Sequence, residues 1–268
     1  KNGYSEETFL HNLCEKGDID IVKRVIQLNR ANLNAVDSNG ETIVHRACKS
    51  ENLELVKYLI SLNIIKITSK DDGVKTLLHS AVESGDLSIV KHILSLKKIG
   101  VNSLDSDYQT ALHYSCKSGY YDIAEHLLSI PEIDVNIQDN SNETPLHCAC
   151  ESEDVELVKL LLKQKDIDVY LTGDDNKTVL HYVCDEGNLE LAKLFISKYK
   201  FDLNARDCES KTLLHYACNS GNLDLVKYLI ELDKINPLAK DEDERTILHH
   251  ACKSENYELV KYLISSSI

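Results

Sequence analysis

The chain has 268 residues, of which 44 are acidic and 30 are basic, and its formal net charge is -14. Nucleic-acid backbones and anionic membranes are bound by clustered Lys and Arg, so this balance disfavours both as main partners and favours a basic or neutral protein. No run approaches the roughly 18 apolar residues that span a bilayer, and no signal peptide opens the chain, so we expect no membrane insertion.

A tetrapeptide motif, Thr-x-(apolar)-His, recurs every 34 residues along the whole chain. Its histidines are His11, His45, His79, His113, His147, His181, His215 and His249. Its threonines are Thr8, Thr42, Thr76, Thr110, Thr144, Thr178, Thr212 and Thr246. A fixed period between about 20 and 50 residues indicates a repeat array in which each unit packs on its neighbours.

The sequence therefore predicts a solenoid that forms a single domain over residues 1–268. The predicted repeats, numbered 1 to 8 in chain order, are 5–38, 39–72, 73–106, 107–140, 141–174, 175–208, 209–242 and an incomplete 243–268. The chain starts at Lys1 rather than at methionine, and its last repeat stops partway. We therefore expect it to be a fragment of a longer protein.

Repeat 7 shows the predicted local structure. Thr212 is a favourable N-cap for a short first helix, and Gly221 is a favourable residue for ending it. A second apolar stripe that includes Leu225 follows with helical spacing and predicts a second helix whose apolar face is buried. The helical pattern stops after Leu232, which leaves a long non-helical stretch before the next motif at Thr246.

That long stretch argues against a tetratricopeptide array, which has a similar period but joins its helices by short turns. The chain instead resembles ankyrin repeats. The resemblance is carried by the motif itself, by His-x-Ala-Cys at 45–48, by Ser-Gly-Asn-Leu at 220–223 and by Asp-Val-Asn at 134–136. It implies an all-α ankyrin-repeat solenoid of stacked helix pairs, with short β-hairpin-like loops that project to one side.

The chain departs from the family pattern at the hairpins. The glycine that usually stands two residues before the motif threonine is present only as Gly40. Its counterparts are Val74, Tyr108, Asn142, Asn176, Ser210 and Glu244. A β-branched side chain resists positive φ, so we expect a different turn type at Val74, with Gly73 taking the left-handed conformation.

A His-x-x-Cys pair occurs in seven repeats and could in principle supply half of a zinc site, because residues three apart share a helix face. Packed helices lie about 8–10 Å apart, however, whereas zinc needs its ligands within about 2.0–2.3 Å of one centre. Val82 also replaces the cysteine in repeat 3. We expect no metal and no cofactor, and the metalloprotein interpretation remains an alternative.

The repeated cysteines are interpreted as small core residues in a protein of a reducing compartment, the cytoplasm or nucleus. Cys148 and Cys208 lie outside the repeated position. We expect these two to be the exposed thiols.

No glycine-rich phosphate loop, distinctive carboxylate pair or nucleophile triad is present, so we expect no enzymatic activity. His92 and His126 occupy a second-helix position and are expected to be half-buried. The lysines of the second helices mostly follow an acidic or polar residue by three positions, as in Glu54/Lys57, which is typical of a solvated helix face.

The positions that vary between repeats are the candidates for recognition, because the fold does not fix them. Directly after the motif histidine, in the family arrangement on the concave side, a broken aromatic row is formed by Tyr114, Tyr182, Tyr216 and His250. Tyrosine is enriched in binding hot spots, but these rings could equally pack between adjacent first helices. Further candidates on the first helices are Lys117, Asp185, Asn219 and Lys253, and those at the hairpin tips are Gln109, Glu143, Lys177, Lys211 and Arg245.

These observations predict a non-catalytic scaffold, favoured as a monomer, that binds another protein through its concave first-helix face and hairpin tips. The alternative is a regulatory or targeting module of a larger enzyme, channel or ubiquitin-ligase adaptor. Asn136, in its Asp-Val-Asn context, also resembles the ankyrin asparagines that become hydroxylated.

Overall fold

A computed structural model describes residues 6–28, 32–63, 66–232 and 234–266, with the side chains of residues 6–8 excluded. The contacts divide the chain into two compact units, Lys1–Asp134 and Val135–Ile268, here called the first unit and the second unit. Each unit consists of antiparallel helix pairs joined by extended loops. No β-strand is present among the described residues, which agrees with the predicted all-α class.

The first unit contains four helix pairs. Its helices are α1 (Glu6–Glu15), α2 (Ile19–Gln27), α3 (Ile43–Cys48), α4 (Leu53–Ser61), α5 (Leu77–Glu83), α6 (Leu87–Ser95), α7 (Ala111–Lys117) and α8 (Tyr121–Leu128). The first helices of successive pairs pack on one another in the order α1, α3, α5 and α7, and each also packs on its own second helix.

The second unit repeats this arrangement. Its helices are α9 (Pro145–Glu151), α10 (Val155–Leu161), α11 (Val179–Asp185), α12 (Leu189–Lys198), α13 (Leu213–Ser220), α14 (Leu223–Ile230), α15 (Ile247–Lys253) and α16 (Tyr257–Ser265). The first helices α9, α11, α13 and α15 pack in succession. Isolated bridges such as Thr172 to Thr178 and Lys240 to Thr246 close the loops, so the loops are hairpin-like without forming a sheet.

The motif threonine and histidine start each first helix from α3 onward. Thr42 is the N-cap of α3, and the His45 side chain returns a hydrogen bond to the backbone N–H of Thr42, which makes a reciprocal capping box. The same arrangement begins α5, α7, α9, α11, α13 and α15. In repeat 1 the helix already starts at Glu6, and the side chain of Thr8 lies outside the described residues.

The core lies between the two helices of each pair and between neighbouring pairs. Leu225 is 0% exposed, as predicted from its place in the apolar stripe. Six of the repeated cysteines are also buried, namely Cys14, Cys48, Cys116, Cys150, Cys184 and Cys218. Burial raises the pKa of the Cys48 thiol to about 12, which suits a packing role rather than a reactive one.

The expectation for the exposed thiols is half wrong. Cys208 is exposed at its hairpin tip as expected, but Cys148 is 1% exposed because it faces the packing between first helices. Cys252 is exposed although its counterpart Cys218 is buried, since no further described helix packs on that side of α15. His92 and His126 are half-buried, as expected.

The expectation of a different turn at Val74 is wrong. Val74 itself has φ of 61°, while Gly73 does not take a positive φ. Every counterpart of Gly40 shares this left-handed conformation, whatever its side chain: Val74, Tyr108, Asn142, Asn176, Ser210 and Glu244. The hairpin geometry therefore overrides the residue preference, at a cost of about 1–2 kcal/mol for an unfavourable side chain.

Within the described residues, no helix is both long and apolar enough to cross a membrane.

Candidate functional site

The candidate site is the groove between the hairpin tips and the C-terminal ends of the first helices. We define the tip position as the residue directly before the motif threonine, and the helix-end position as the residue eight places later. The tip positions are Glu41, Lys75, Gln109, Glu143, Lys177, Lys211 and Arg245. The helix-end positions are Lys49, Glu83, Lys117, Glu151, Asp185, Asn219 and Lys253.

An aspartate builds each hairpin tip except that of repeat 6. The Asp105 carboxylate accepts hydrogen bonds from the backbone N–H of Asp107 at 2.9 Å and of Gln109 at 2.8 Å. The equivalent aspartates, which accept from the tip-position N–H in the same way, are Asp37, Asp71, Asp139, Asp207 and Asp241. Our sequence reasoning missed these residues, although their 34-residue spacing is a signal that could have found them.

In repeats 4, 7 and 8, the second oxygen of this aspartate holds the residue that follows the motif histidine. The Tyr114 hydroxyl donates to Asp105 at 2.7 Å, and the Tyr216 hydroxyl donates to Asp207 at 2.5 Å. His250 Nε2 lies 2.9 Å from the Asp241 carboxylate. The predicted aromatic row is therefore tied to the hairpins by its polar ends.

The hairpin that precedes the repeat 6 motif holds its tyrosine by a different contact. Gly173 replaces the tip aspartate, and the Tyr182 hydroxyl instead donates to Glu143 of the preceding hairpin at 2.7 Å. A Cβ atom at position 173 would lie 2.5 Å from the Tyr182 hydroxyl oxygen, so only glycine fits there. The glycine at position 173 and the bond from Tyr182 to Glu143 therefore belong together, because the tyrosine hydroxyl lies where a side chain at position 173 would begin.

The rings of the row are largely buried between first helices. Tyr182 and Tyr216 are each 7% exposed and His250 is 4% exposed, whereas Tyr114 is half-buried. Each ring meets the motif histidine of the preceding repeat edge-on, with centroids 5.1 Å apart for His147 and Tyr182. This geometry fits the packing interpretation of the row and leaves little ring surface for a partner.

The motif histidines from α3 onward accept a hydrogen bond from the backbone at Nδ1, and His79 also binds the backbone of the next hairpin tip. Because a backbone N–H can only donate, the 3.0 Å contact from Thr76 N–H to His79 Nδ1 places the ring proton on Nε2. His79 Nε2 then donates to the carbonyl oxygen of Gln109 at 3.1 Å. Burial is the main reason that the pKa values of His45, His79, His181 and His215 are lowered.

In the first unit, the groove is filled by the chain's own ion pairs. The Arg46 guanidinium contacts Asp37 at 2.7 Å, Glu41 at 2.6 Å and Glu15 at 3.1 Å. Lys49 binds Glu41 at 2.7 Å, and it binds Glu83 of the next repeat at 2.9 Å.

Lys75 completes this network. Its ammonium lies 2.5 Å from the Glu83 carboxylate and 5.1 Å from the centroid of the Tyr114 ring. Tip and helix-end residues of opposite charge therefore face each other in repeats 2 and 3. The predicted residues of repeat 4 continue this groove, with Lys117 exposed and Gln109 half-buried.

In the second unit, the groove holds a cavity of about 250 Å³. It brings together seven of the residues that the sequence singled out: Lys177, Lys211, Asp185, Asn219, Lys253, Tyr216 and His250. Asp175, Glu209 and His215 complete the lining. Of the other predicted residues, Glu143 holds Tyr182, and Arg245 pairs with Asp243 at 2.9 Å while lining a second recess with His249, His250 and Lys253.

Two lysines of this cavity, Lys177 and Lys211, lie close to the tyrosine rings of the aromatic row. The Lys177 ammonium lies 5.9 Å from the Tyr182 ring and 5.8 Å from the Tyr216 ring. The Lys211 ammonium lies 5.9 Å from the same Tyr216 ring and pairs with Glu209. No ion pair among the described residues involves Lys253 or Asp185, so the helix ends of this groove present charges to solvent.

Two other sequence expectations concern surfaces outside the groove. The second-helix lysines pair as expected at Glu54/Lys57 and Glu156/Lys159, at 2.8 and 2.9 Å. The Asn136 side chain donates to the carbonyl of Asp166 at 2.6 Å and accepts from the N–H of Asp168 at 2.9 Å, so it links two successive loops. Groups of three or more potential metal ligands are absent from the described part of the chain.

Comparison with known protein families agrees with the repeat pattern. A family model described as "Ankyrin repeats (3 copies)" matches residues 61–139, 78–172, 132–207 and 180–268. A second model, described as "Ankyrin repeats (many copies)", matches residues 10–60. None of the curated proteins matches the chain.

Proposed function

The chain belongs to the ankyrin-repeat family, whose members are generally protein–protein interaction modules, and from this premise we propose that it is a non-catalytic scaffold. The partner is another protein, which binds at the hairpin tips and first-helix ends of the second unit. The residues proposed to contact it are Asp185, Asn219, Lys253, Lys177, Lys211 and Arg245, with Glu143 on the neighbouring repeat.

One observation carries this proposal: the groove fixes its backbone and varies its side chains. At six of the seven described tip positions, an aspartate accepts from the backbone N–H, as Asp207 does from Lys211 at 2.8 Å. In repeat 3 the motif histidine also binds the next tip carbonyl, as His79 binds Gln109. Because the backbone is held by repeated contacts, the side chains are free to differ between repeats for recognition.

Rigidity is the physical advantage of such a surface. The groove side chains are presented by helices and capped hairpins, so little conformational entropy is lost when a partner docks. The buried Tyr182, Tyr216 and His250 and the half-buried Tyr114 act as supports that hold the tips, and the exposed residues beside them make the contacts. The first unit is less suited to binding, since a partner would have to displace its internal ion pairs.

The proposal assigns no turnover to these residues. The buried histidines are engaged in capping, and the thiol of Cys184 has a pKa raised by burial, which disfavours a nucleophilic thiolate. The mostly buried thiols also suit a reducing compartment, cytoplasmic or nuclear.

The test is capture of partners from native lysate with a groove variant that keeps the net charge. The variant is Asp185→Lys with Lys253→Glu, and the control is Glu231→Lys with Lys163→Glu, which alters exposed residues outside the groove. We expect a partner that the parent and the control retain and the groove variant loses, with equal thermal stability of all three proteins. Equal recovery by the groove variant would refute the assignment of the surface, and the absence of any captured protein would refute the scaffold function.

A further inference from the structure

We propose that a second surface of this chain binds an extended segment of a protein partner through a phenylalanine or leucine side chain. The surface surrounds a cavity of about 800 Å³, here called the loop cavity, between the residues that follow α12 and those that follow α14. Its apolar lining residues are Ile196, Tyr199, Phe201, Leu203 and Leu232. None of its lining residues lines the cavity of the groove, so this inference goes beyond the proposed function.

Aromatic residues replace the usual repeat residues beside the loop cavity. Tyr199 occupies a position that is held by Lys97 and Lys165 in two other repeats. Phe201 occupies a position that is isoleucine in five other repeats: Ile65, Ile99, Ile133, Ile167 and Ile235. The fold therefore does not need aromatic rings at these two positions.

The aromatic rings form one cluster that is anchored in the core. The Phe201 centroid lies 5.3 Å from that of Tyr170, 6.1 Å from that of Phe195 and 6.3 Å from that of Tyr199. Phe195 is buried, Tyr199 and Phe201 are half-buried, and Tyr170 is 54% exposed. Aromatic rings that are already held in place offer a large contact area at little cost in conformational entropy.

Other repeats close the corresponding loop with an asparagine amide. The Asn136 amide donates to the carbonyl of Asp166 and accepts from the N–H of Asp168. Two further asparagines make the same pair of contacts with residues 30 and 32 places later: Asn102 and Asn204. One side-chain amide thus joins a carbonyl and an N–H that stand two residues apart.

The loop after α12 has these backbone groups without the amide. Tyr170 lies 34 residues after Asn136 and has no amide. The equivalent groups are the carbonyl of Lys200 and the N–H of Asp202, which make no hydrogen bond among the described residues. Both residues are exposed, and both line the loop cavity.

These two backbone groups fit one residue of an extended segment. In a parallel β-bridge, the N–H and the C=O of one residue bond to a carbonyl and an N–H that flank a single residue of the other strand. Lys200 and Asp202 flank Phe201 in this way. Backbone bonds of this kind supply affinity in peptide recognition, and a side-chain pocket supplies specificity.

The charges around the loop cavity favour a neutral side chain. Its charged lining residues are two lysines and two acids: Lys200, Lys234, Asp202 and Glu231. The Lys198 ammonium already lies 5.1 Å from the centroid of the Tyr199 ring, so a second cation there is repelled. A charged side chain would also lose hydration on entering the apolar part of the cavity.

The first experiment titrates the chain with the acetylated, amidated peptide Gly-Ser-Phe-Ser-Gly and follows methyl signals by NMR. We expect shifts at Ile196, Leu203 and Leu232, and none at Ile264, which is exposed on α16. Peptides with Lys or Glu in place of Phe should bind at least about tenfold more weakly. No shift with the Phe peptide, or similar affinities for all three peptides, would overturn the proposal, and so would a preference for the Lys or Glu peptide.

The second experiment uses variants that restore the residues of other repeats. Tyr199→Lys with Phe201→Ile should abolish the shifts, whereas the control Tyr257→Lys, which changes an exposed tyrosine on α16, should keep them. Tyr170→Asn supplies the missing amide and should weaken peptide binding by about threefold or more, because it occupies both backbone groups. Unchanged affinity of the double variant would overturn the cavity as the site, and unchanged affinity of Tyr170→Asn would overturn the backbone contact.

The groove variant separates this proposal from the proposed function. Asp185→Lys with Lys253→Glu changes no residue of the loop cavity, so it should bind the Phe peptide as tightly as the parent does. Loss of peptide binding in this variant, with its thermal stability unchanged, would overturn the independence of the two surfaces.

Discussion

The grooves of the first and second units share one backbone design but differ in how their charges are satisfied. In the first unit, Arg46, Lys49 and Lys75 are each bound to carboxylates of the same chain. In the second unit, the helix-end positions are held by Asp185, Asn219 and Lys253, which correspond to Lys49, Glu83 and Lys117 of the first unit and face solvent. We infer that the groove stabilises the fold where its charges are paired, and we propose that it binds a partner where they are not.

The two units also differ in their content of charged residues. Residues 1–134 carry 19 acidic and 15 basic side chains, and residues 135–268 carry 25 acidic and 15 basic ones. Excess charge destabilises a compact unit through self-repulsion, so the more acidic second unit lies further from electrostatic balance. A partner that neutralises this surface gains free energy that the first unit has already obtained internally.

Acidification should produce the largest effect, and it should affect both units because they share the capping histidines. The pKa values of His45, His79, His181 and His215 are lowered in the folded protein. An unfolded histidine has a pKa of about 6.5, so the unfolded state binds more protons below that pH. Their contribution to stability is therefore complete above pH 6.5 and is lost as the pH falls toward the folded values, by up to about 1.4 kcal/mol per pH unit for each histidine.

Urea unfolding at pH 7.5, 6.5 and 5.5 would measure this loss. An unfolding free energy that stayed constant between pH 6.5 and 5.5 would contradict the neutral tautomer assigned to the capping boxes.

Truncation of the core should be the next largest effect. Leu225→Ala removes a side chain that is 0% exposed and should cost about 2–5 kcal/mol in denaturant unfolding. Ile264→Ala is the matched control, because Ile264 is 65% exposed on α16 and its truncation should cost under about 0.5 kcal/mol. A loss well under 1 kcal/mol at Leu225 would show that the buried face of the second helices has been assigned wrongly.

Removal of one charge should distinguish the two grooves. Arg46→Met leaves the carboxylates of Asp37 and Glu41, which are 4% and 3% exposed, without their main partner. We expect a loss of about 3 kcal/mol in the free energy of unfolding. The comparison change at a helix end of the second unit, Lys253→Met, should leave stability within about 0.5 kcal/mol, since that side chain is exposed and makes no ion pair among the described residues. Equal costs for the two variants would remove the distinction between a filled and an open groove.

Relief of the hairpin strain should be the smallest effect. Val74→Gly allows the left-handed φ of 61° without steric cost and should stabilise the protein by about 1 kcal/mol. Gly40→Ala should destabilise it, because a Cβ atom there would lie 2.3 Å from an oxygen of the Asp72 side chain. Thermal unfolding of the Val74→Gly and Gly40→Ala variants would measure both effects. A lower midpoint for Val74→Gly would mean that the valine side chain contributes more free energy by packing than the left-handed backbone costs in strain.

The repeat period made most of the fold predictable from sequence. The threonine of Thr212 and the apolar position of Leu225 recur in every copy, and the glycine of Gly221 recurs in five of the eight, so caps and buried faces could be assigned. Val74 could not be assigned, because its left-handed conformation is imposed by the hairpin rather than by its own preference. Cys148 was misjudged for a related reason: packing between neighbouring first helices decides its exposure.

The candidate site was predictable in position but not in detail. The variable residues Lys177, Lys211, Asp185, Asn219 and Lys253 could be selected because they break the repeat, and the structure places them around one cavity. The burial of Tyr182 and Tyr216 depends on their hydroxyls reaching carboxylates at other repeat positions, Glu143 and Asp207. Spacing within one motif does not reveal such contacts.

The most direct test of the account is hydrogen exchange read by mass spectrometry on the chain, free and bound to a captured partner. We expect binding to slow amide exchange at the second-unit hairpin tips, residues 175–177, 209–211 and 243–245. The ion-paired tips at 37–41 and 71–75 should exchange at the same rate in both states. Protection confined to the first-unit tips would contradict the claim that the open groove of the second unit is the binding surface.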